Sequence, residues 1–171
     1  MKPWCGDPYC LRMPIARDAV PSDWPAIARI YGEGIATRAA TFETDIPSWE
    51  AWDAAHLAAP RFVAEEDGEV LGWIAVSPVS RRPVYRGVVE HSVYVAAASR
   101  GRGVGRLLLD ALLRSAAAHG IWMIQTSIFE DNAASAALHE AVGFRRVGRR
   151  EQIAQLDGEW RDTLLLELRL P

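Results

Sequence analysis

The chain has 171 residues, half of them hydrophobic and about a quarter charged, with a formal net charge of −3. That is one domain's worth of chain, long enough to bury a core without a disulfide or metal staple, and its balance excludes disordered, collagen-like and low-complexity classes. The mild acidity argues against bulk nucleic-acid binding, and no apolar run reaches the ~18 residues that a membrane-crossing helix needs.

Residues 1–13 read as a disordered arm, without the apolar stretch of a signal peptide. Residues 14–171 read as one domain, and the location as cytoplasmic. Cys5 and Cys10 have no second pair and no histidine beside them, so no metal site is expected. Lys2 is the only lysine. Arginine titrates poorly, so a general base must come from the four histidines or the carboxylates.

Pro14–Asp18 fits a first strand. Ser22 precedes an apolar stripe of Ile27, Ile30, Tyr31 and Ile35, the pattern of a capped helix. A loop over Thr37–Ile46 carries Phe42 and Glu43. Ser48–Ala59 reads as a second helix between Pro47 and Pro60. Arg61–Glu66 and Glu69–Val76 flank Asp67-Gly68, a strong hairpin signal. A polar loop from Ser77 to Gly87 holds Arg81, Arg82 and Tyr85. In the next strand, Val88–Val95, alternation puts Val89, His91, Val93 and Val95 on one face and Glu90, Ser92 and Tyr94 on the other. His91 reads as core, as do Trp73 and Trp122.

From Gly103 the apolar period turns helical through Val104, Leu107, Leu108, Ala111 and Leu112, and Gly120 closes the helix. A strand over Ile121–Phe129 follows, then a short helix from Asp131 or Asn132 to Ala141. Phe144–Gln155 and Trp160–Leu170 complete the chain as strands around an Asp-Gly turn. The order β-α-α-β-β-β-α-β-α-β-β is that of a mixed-sheet α/β fold.

The chemistry lies in SVYVAAASRGRGVGR, residues 92–106, where a strand passes through a glycine-rich turn into a helix. Gly101, Gly103 and Gly105 let backbone amides approach a ligand, the helix start adds partial positive charge, and Arg100, Arg102 and Arg106 add full charges. Together they suit a pyrophosphate. A P-loop needs a lysine that the segment lacks. A dinucleotide fingerprint needs glycine where Arg106 stands and an acidic residue where Gln125 stands.

What remains, Arg100-x-x-Gly103-x-Gly105 with Asn132 downstream, resembles the acyl-CoA signature of the GCN5-related N-acetyltransferases. Segments 30–44, 89–95, 138–144 and 157–170 are similar to the phosphinothricin and methionine-sulfoximine N-acetyltransferase group within that superfamily. The resemblance implies a mixed, mostly antiparallel sheet with splayed strands and flanking helices. It implies acetyl-CoA as co-substrate, a small amino-acid-like acceptor and a homodimer. By the same resemblance, Val93, Tyr94 and Val95 pair with the pantetheine arm, Arg100, Gly101, Arg102, Gly103, Val104, Gly105 and Arg106 hold the pyrophosphate, and Asn132 contacts the pantetheine or the departing thiol.

Glu90 takes the place of the family's catalytic glutamate, and His139 is the residue that could return a proton to the thiolate. Arg82 or Arg81, with Tyr85, would bind the acceptor's carboxylate, while Phe42 would wall the pocket and Glu43 meet the ammonium. Two other functions fit the same residues. One is an enzyme of this fold acting on a peptide N-terminus or a polyamine; the other is a non-catalytic acyl-CoA-binding module.

Overall fold

A computed structural model describes residues 13–171, so the arm expected over residues 1–13 lies, Met13 apart, outside the described residues. The elements run β1 (Ile15–Asp18), α1 (Trp24–Ala36), α2 (Trp49–Ala55), β2 (Arg61–Glu66), β3 (Glu69–Pro78), β4 (Val88–Val95), α3 (Val104–Ala116), β5 (Met123–Phe129), α4 (Ala133–Ala141), β6 (Arg145–Leu156) and β7 (Glu159–Arg169). One seven-stranded sheet takes the order β1-β2-β3-β4-β5-β7-β6. Every neighbouring pair is antiparallel except β4 and β5.

Strand alternation sends side chains into two apolar layers. Val89 of β4 joins Leu108, Leu109 and Leu112 of α3 and Ala136 of α4, and Val93 and Val95 pack on the same layer. Burying a leucine fully is worth about 1.5–3 kcal/mol, so α3 is held by its stripe more than by helix propensity. On the opposite face Trp73 and Tyr94 pack with Ile27 and Ile30 of α1 and Trp52 of α2. Tyr94 stacks on Trp73 at 4.9 Å between ring centres. A Cβ on Gly34 would come within 2.6 Å of the Tyr94 ring, so α1 approaches β4 only because that residue is glycine.

Several elements differ from the sequence expectation: Ser22 lies in a single 3-10 turn and does not cap α1, which starts at Trp24, and β3 runs on to Pro78. Helix α2 stops at Ala55, short of Ala59: Leu57 N donates to Val76 O of β3 instead of continuing the helix, and Arg61 donates to the carbonyls of Asp53 and His56 at its end. Strand β5 begins at Met123, and Trp122 lies outside it, half-buried beneath the Arg86 guanidinium rather than in the core.

The pairing of β4 with β5 positions the site. It is limited to Val88↔Met123, Val89↔Ile124 and Glu90↔Gln125. Beyond Glu90 the two strands diverge, while β4 stays paired to β3 as far as Val95↔Gly72. One edge of the β4 main chain, from His91 onward, therefore has no strand beside it.

Candidate active site

Two adjoining spaces lie at the opening between β4 and β5. The first is a groove of about 640 Å³ lined by Val93, Tyr94, Val95, Arg100, Gly101, Gly103, Val104, Gly105, Arg106 and Asn132. All the residues expected to hold the nucleotide end therefore meet there, except Arg102. That side chain turns away to Glu66 of β2, 2.6 Å distant. Arg106 pairs with Asp110 one turn on, whereas Arg100 has no carboxylate within ion-pair distance among the described residues.

Gly101 and Gly103 take φ of +75° and +81°, and a Cβ on either would meet no heavy atom within 4 Å. The turn is thus a glycine-lined cradle at the start of α3, whose first-turn amides lack intrahelical partners. This fits a pyrophosphate, with Arg100 as the available cation. Gly105 has a different job: its Cβ would strike Leu138 Cδ2 at 2.9 Å, so it lets α3 and α4 pack closely.

The second space, about 290 Å³, is lined by Phe42, Glu43, Glu90, His91, Ser92, Ser127 and His139 among others. The two spaces share Ala40, Val93, Tyr94, Asn132 and Ser135. Asn132 ties the junction together. Its Oδ1 accepts from Ser135 N at the start of α4, and its Nδ2 donates to Ala39 O at 3.1 Å. The loop that carries Phe42 and Glu43 is thereby strapped across the opening. Phe42 sets its edge on Phe129 at 4.6 Å. Two carboxylates, Glu43 and Glu90, face this cavity, so it suits a cationic group.

Glu90 accepts from Ser127 Oγ at 2.9 Å and from Gln125 Nε2 at 3.3 Å. Neither donor emerged from the sequence reading. The signal available was polar alternation, Gln125 and Ser127, within an otherwise apolar strand.

His139 and His91 are both almost fully buried. The Ser135 carbonyl can only accept, so His139 Nδ1 carries a hydrogen and donates to it at 2.6 Å. In a neutral ring Nε2 then accepts, so His91 Nε2 donates across the 3.1 Å contact. His91 Nδ1 is left as a buried lone pair without a partner. Burial, then the neighbouring His139, holds His91 well below its ordinary value, and burial also lowers His139 against the Ser135 hydrogen bond that raises it. Both nitrogens of His139 are engaged, and a proton-donor role for it requires the pair to open.

The carboxylate-binding candidates stand apart from the cavity. Arg81, Arg82 and Tyr85 are exposed on the loop before β4, and the Arg82 guanidinium lies 5.8 Å over the Tyr85 ring.

A sheet that opens between two parallel strands beside a glycine-lined helix start defines an acyl-CoA-dependent N-acyltransferase. The profile of the acetyltransferase (GNAT) family matches residues 24–144, and the chain belongs to that family. It is 38% identical over 160 residues to an L-methionine sulfoximine/L-methionine sulfone acetyltransferase of Pseudomonas paraeruginosa, covering 90% of this chain and 93% of that one. It is 35% identical to a phosphinothricin N-acetyltransferase of Alcaligenes faecalis, over 85% of this chain and 77% of that one. A phosphinothricin acetyltransferase from Sinorhizobium meliloti, solved with acetyl-CoA, superposes with a TM-score of 0.84 at 30% identity, covering 93% and 89% of the two chains. The chain is an acetyl-CoA-dependent N-acetyltransferase.

Proposed function

We propose that the chain transfers acetyl from acetyl-CoA to the α-amine of a small amino-acid-like acceptor of the methionine sulfoximine, methionine sulfone or phosphinothricin kind, and that it works as a cytoplasmic homodimer. The observation that carries this reading is the junction of the two spaces: a cavity with two carboxylates shares Val93, Tyr94 and Asn132 with a groove lined by the glycine-rich turn at the start of α3. The activities of the relatives supply the acceptor class.

Acetyl-CoA, when bound, supplies the activated thioester. Amides of the turn from Gly101 to Arg106, with Arg100, bind its pyrophosphate, and the unpaired edge of β4 at Val93–Val95 aligns the pantetheine arm as an added strand would be aligned. Glu90 takes a proton from the acceptor's ammonium so that the nitrogen lone pair is free to attack, and Glu43 holds the same cationic end. Phe42 and Phe129 exclude water from the acceptor's side chain. Arg82, with Arg81 and Tyr85, meets the α-carboxylate only where the acceptor reaches beyond the cavity to the exposed loop before β4. His91 and His139 line the same cavity on the opposite face of β4, and opening of that pair frees His139 for the departing thiol.

The test is a screen of amines against acetyl-CoA that reads free thiol. Methionine sulfone, methionine sulfoximine and phosphinothricin are expected to turn over faster than a polyamine or a peptide. Preference for either of those, or acetyl-CoA binding without turnover, overturns the assignment. Glu90→Gln, which keeps shape and removes basicity, is expected to lower turnover about 100- to 10,000-fold. A variant within about twofold of the parent removes the base role. Sedimentation as a monomer at micromolar concentration removes the dimer.

A further inference from the structure

Arg150, on β6, is set two strands away from β5 and reaches back toward the acceptor cavity. Its Nη2 donates to Ser127 Oγ, and its Nε donates to Thr163 Oγ1 at 3.2 Å. Ser127 and Thr163 both line the cavity that contains Glu90. Four described arginines are short of full exposure: Arg17, Arg61, Arg150 and Arg161. The other three each have a carboxylate within ion-pair distance. Arg150 has none among the described residues. A half-buried cation without a counter-charge is costly, so its compensation must come through what it touches.

The hydrogen-bond directions are forced. A guanidinium only donates, so Ser127 Oγ accepts from Arg150 through a lone pair. The single hydroxyl hydrogen of Ser127 is then free to point to Glu90 Oε1, 2.9 Å away. Gln125 Nε2 donates to the other oxygen, Oε2. Arg150 and Glu90 thus form an ion pair bridged by one hydroxyl. Both carboxylate oxygens receive a donor from β5, and their remaining lone pairs are available to an ammonium in the cavity.

We infer that Ser127 and Arg150 are positioning residues for Glu90: the Arg150–Ser127–Glu90 chain fixes the orientation of the carboxylate that receives the acceptor's proton. This rests on the reading of Glu90 as that proton acceptor. Neither residue need touch acceptor or acetyl-CoA, so their loss acts on turnover through Glu90.

The experiment is a mutant cycle with methionine sulfone and acetyl-CoA as substrates. Ser127→Ala, Arg150→Met and Arg150→Lys are each made in the parent and in the Glu90→Gln background. In the parent, Ser127→Ala and Arg150→Met are expected to lower kcat about tenfold, with the KM for acetyl-CoA within about twofold, and Arg150→Lys to recover most of the loss. In the Glu90→Gln background the same changes are expected to cost less than about twofold, because there is no longer a carboxylate to position. Equal losses in both backgrounds, a loss confined to the KM for acetyl-CoA, or parental kcat in both Ser127→Ala and Arg150→Met overturns the inference. Glu90→Gln at parental turnover overturns the base assignment itself, a result separable from failure of the bridge. Ser127→Ala deletes a single oxygen and keeps the test open if Arg150→Met fails to fold.

Discussion

Gly103→Val separates the demands of the cofactor from those of the fold. Gly103 caps α3 at φ +81°, and a Cβ there has no heavy atom within 4 Å, so the structural cost is backbone strain alone. A non-glycine residue held in that region costs about 1–3 kcal/mol. At roughly 2–4 °C per kcal/mol for a domain of this size, the melting temperature should fall by about 2–12 °C with the chain still folded. The binding cost is separate. The added side chain projects into the groove and keeps phosphate oxygens from the turn's amides. Each charge-assisted hydrogen bond lost is worth about 1.5–3 kcal/mol, so the acetyl-CoA Kd should rise about 10- to 200-fold. Scanning calorimetry reads the first effect and titration calorimetry the second. A folded Gly103→Val with parental acetyl-CoA affinity would refute the placement of the pyrophosphate at this turn. Gly105→Val is the control of opposite kind, since its Cβ meets Leu138 at 2.9 Å and the damage should appear first in stability.

Among the arginines of the turn, Arg100→Ala should weaken acetyl-CoA binding several-fold, while Arg102→Ala, already committed to Glu66, should stay within about twofold by the same titration. Arg82→Ala should slow carboxylate-bearing acceptors about 10- to 200-fold in kcat/KM and spare a decarboxylated analogue; equal handling of methionine sulfone by variant and parent moves the clamp elsewhere. His91 and His139 are held below their ordinary values by burial. The unfolded chain therefore binds more protons than the folded one from about pH 6.5 downward, and stability is lost as pH falls through that window. The melting temperature should drop between pH 7 and 5; a flat profile would show that the pair charges without penalty.

Much of this architecture is local, and the sequence by itself determined it. The stripe from Val104 to Leu112 specifies α3 because 3.6-residue periodicity needs no distant partner. Asp67-Gly68 and Asp157-Gly158 specify two hairpins because both aspartates and both glycines there take positive φ. Alternation along β4 assigned Glu90 and His91 to opposite faces before any neighbour was known. The glycine spacing marked the turn that lines the groove for the same reason: amide approach is a property of that short segment.

What faces those segments was decided only by the tertiary structure. The strands part after Glu90↔Gln125 because register and divergence arise between residues 35 apart in sequence, beyond any local pattern. Arg102 and Arg100 look alike in the sequence, yet Glu66, on a strand placed by a distant pairing, takes one and leaves the other. His139 reads as a helix residue near a thiol site until His91, 48 residues earlier, closes on its second nitrogen. Nothing in the sequence around Arg150 marks it for the site. Only the neighbouring order β5-β7-β6 brings it to Ser127 and, through one hydroxyl, to the carboxylate of Glu90.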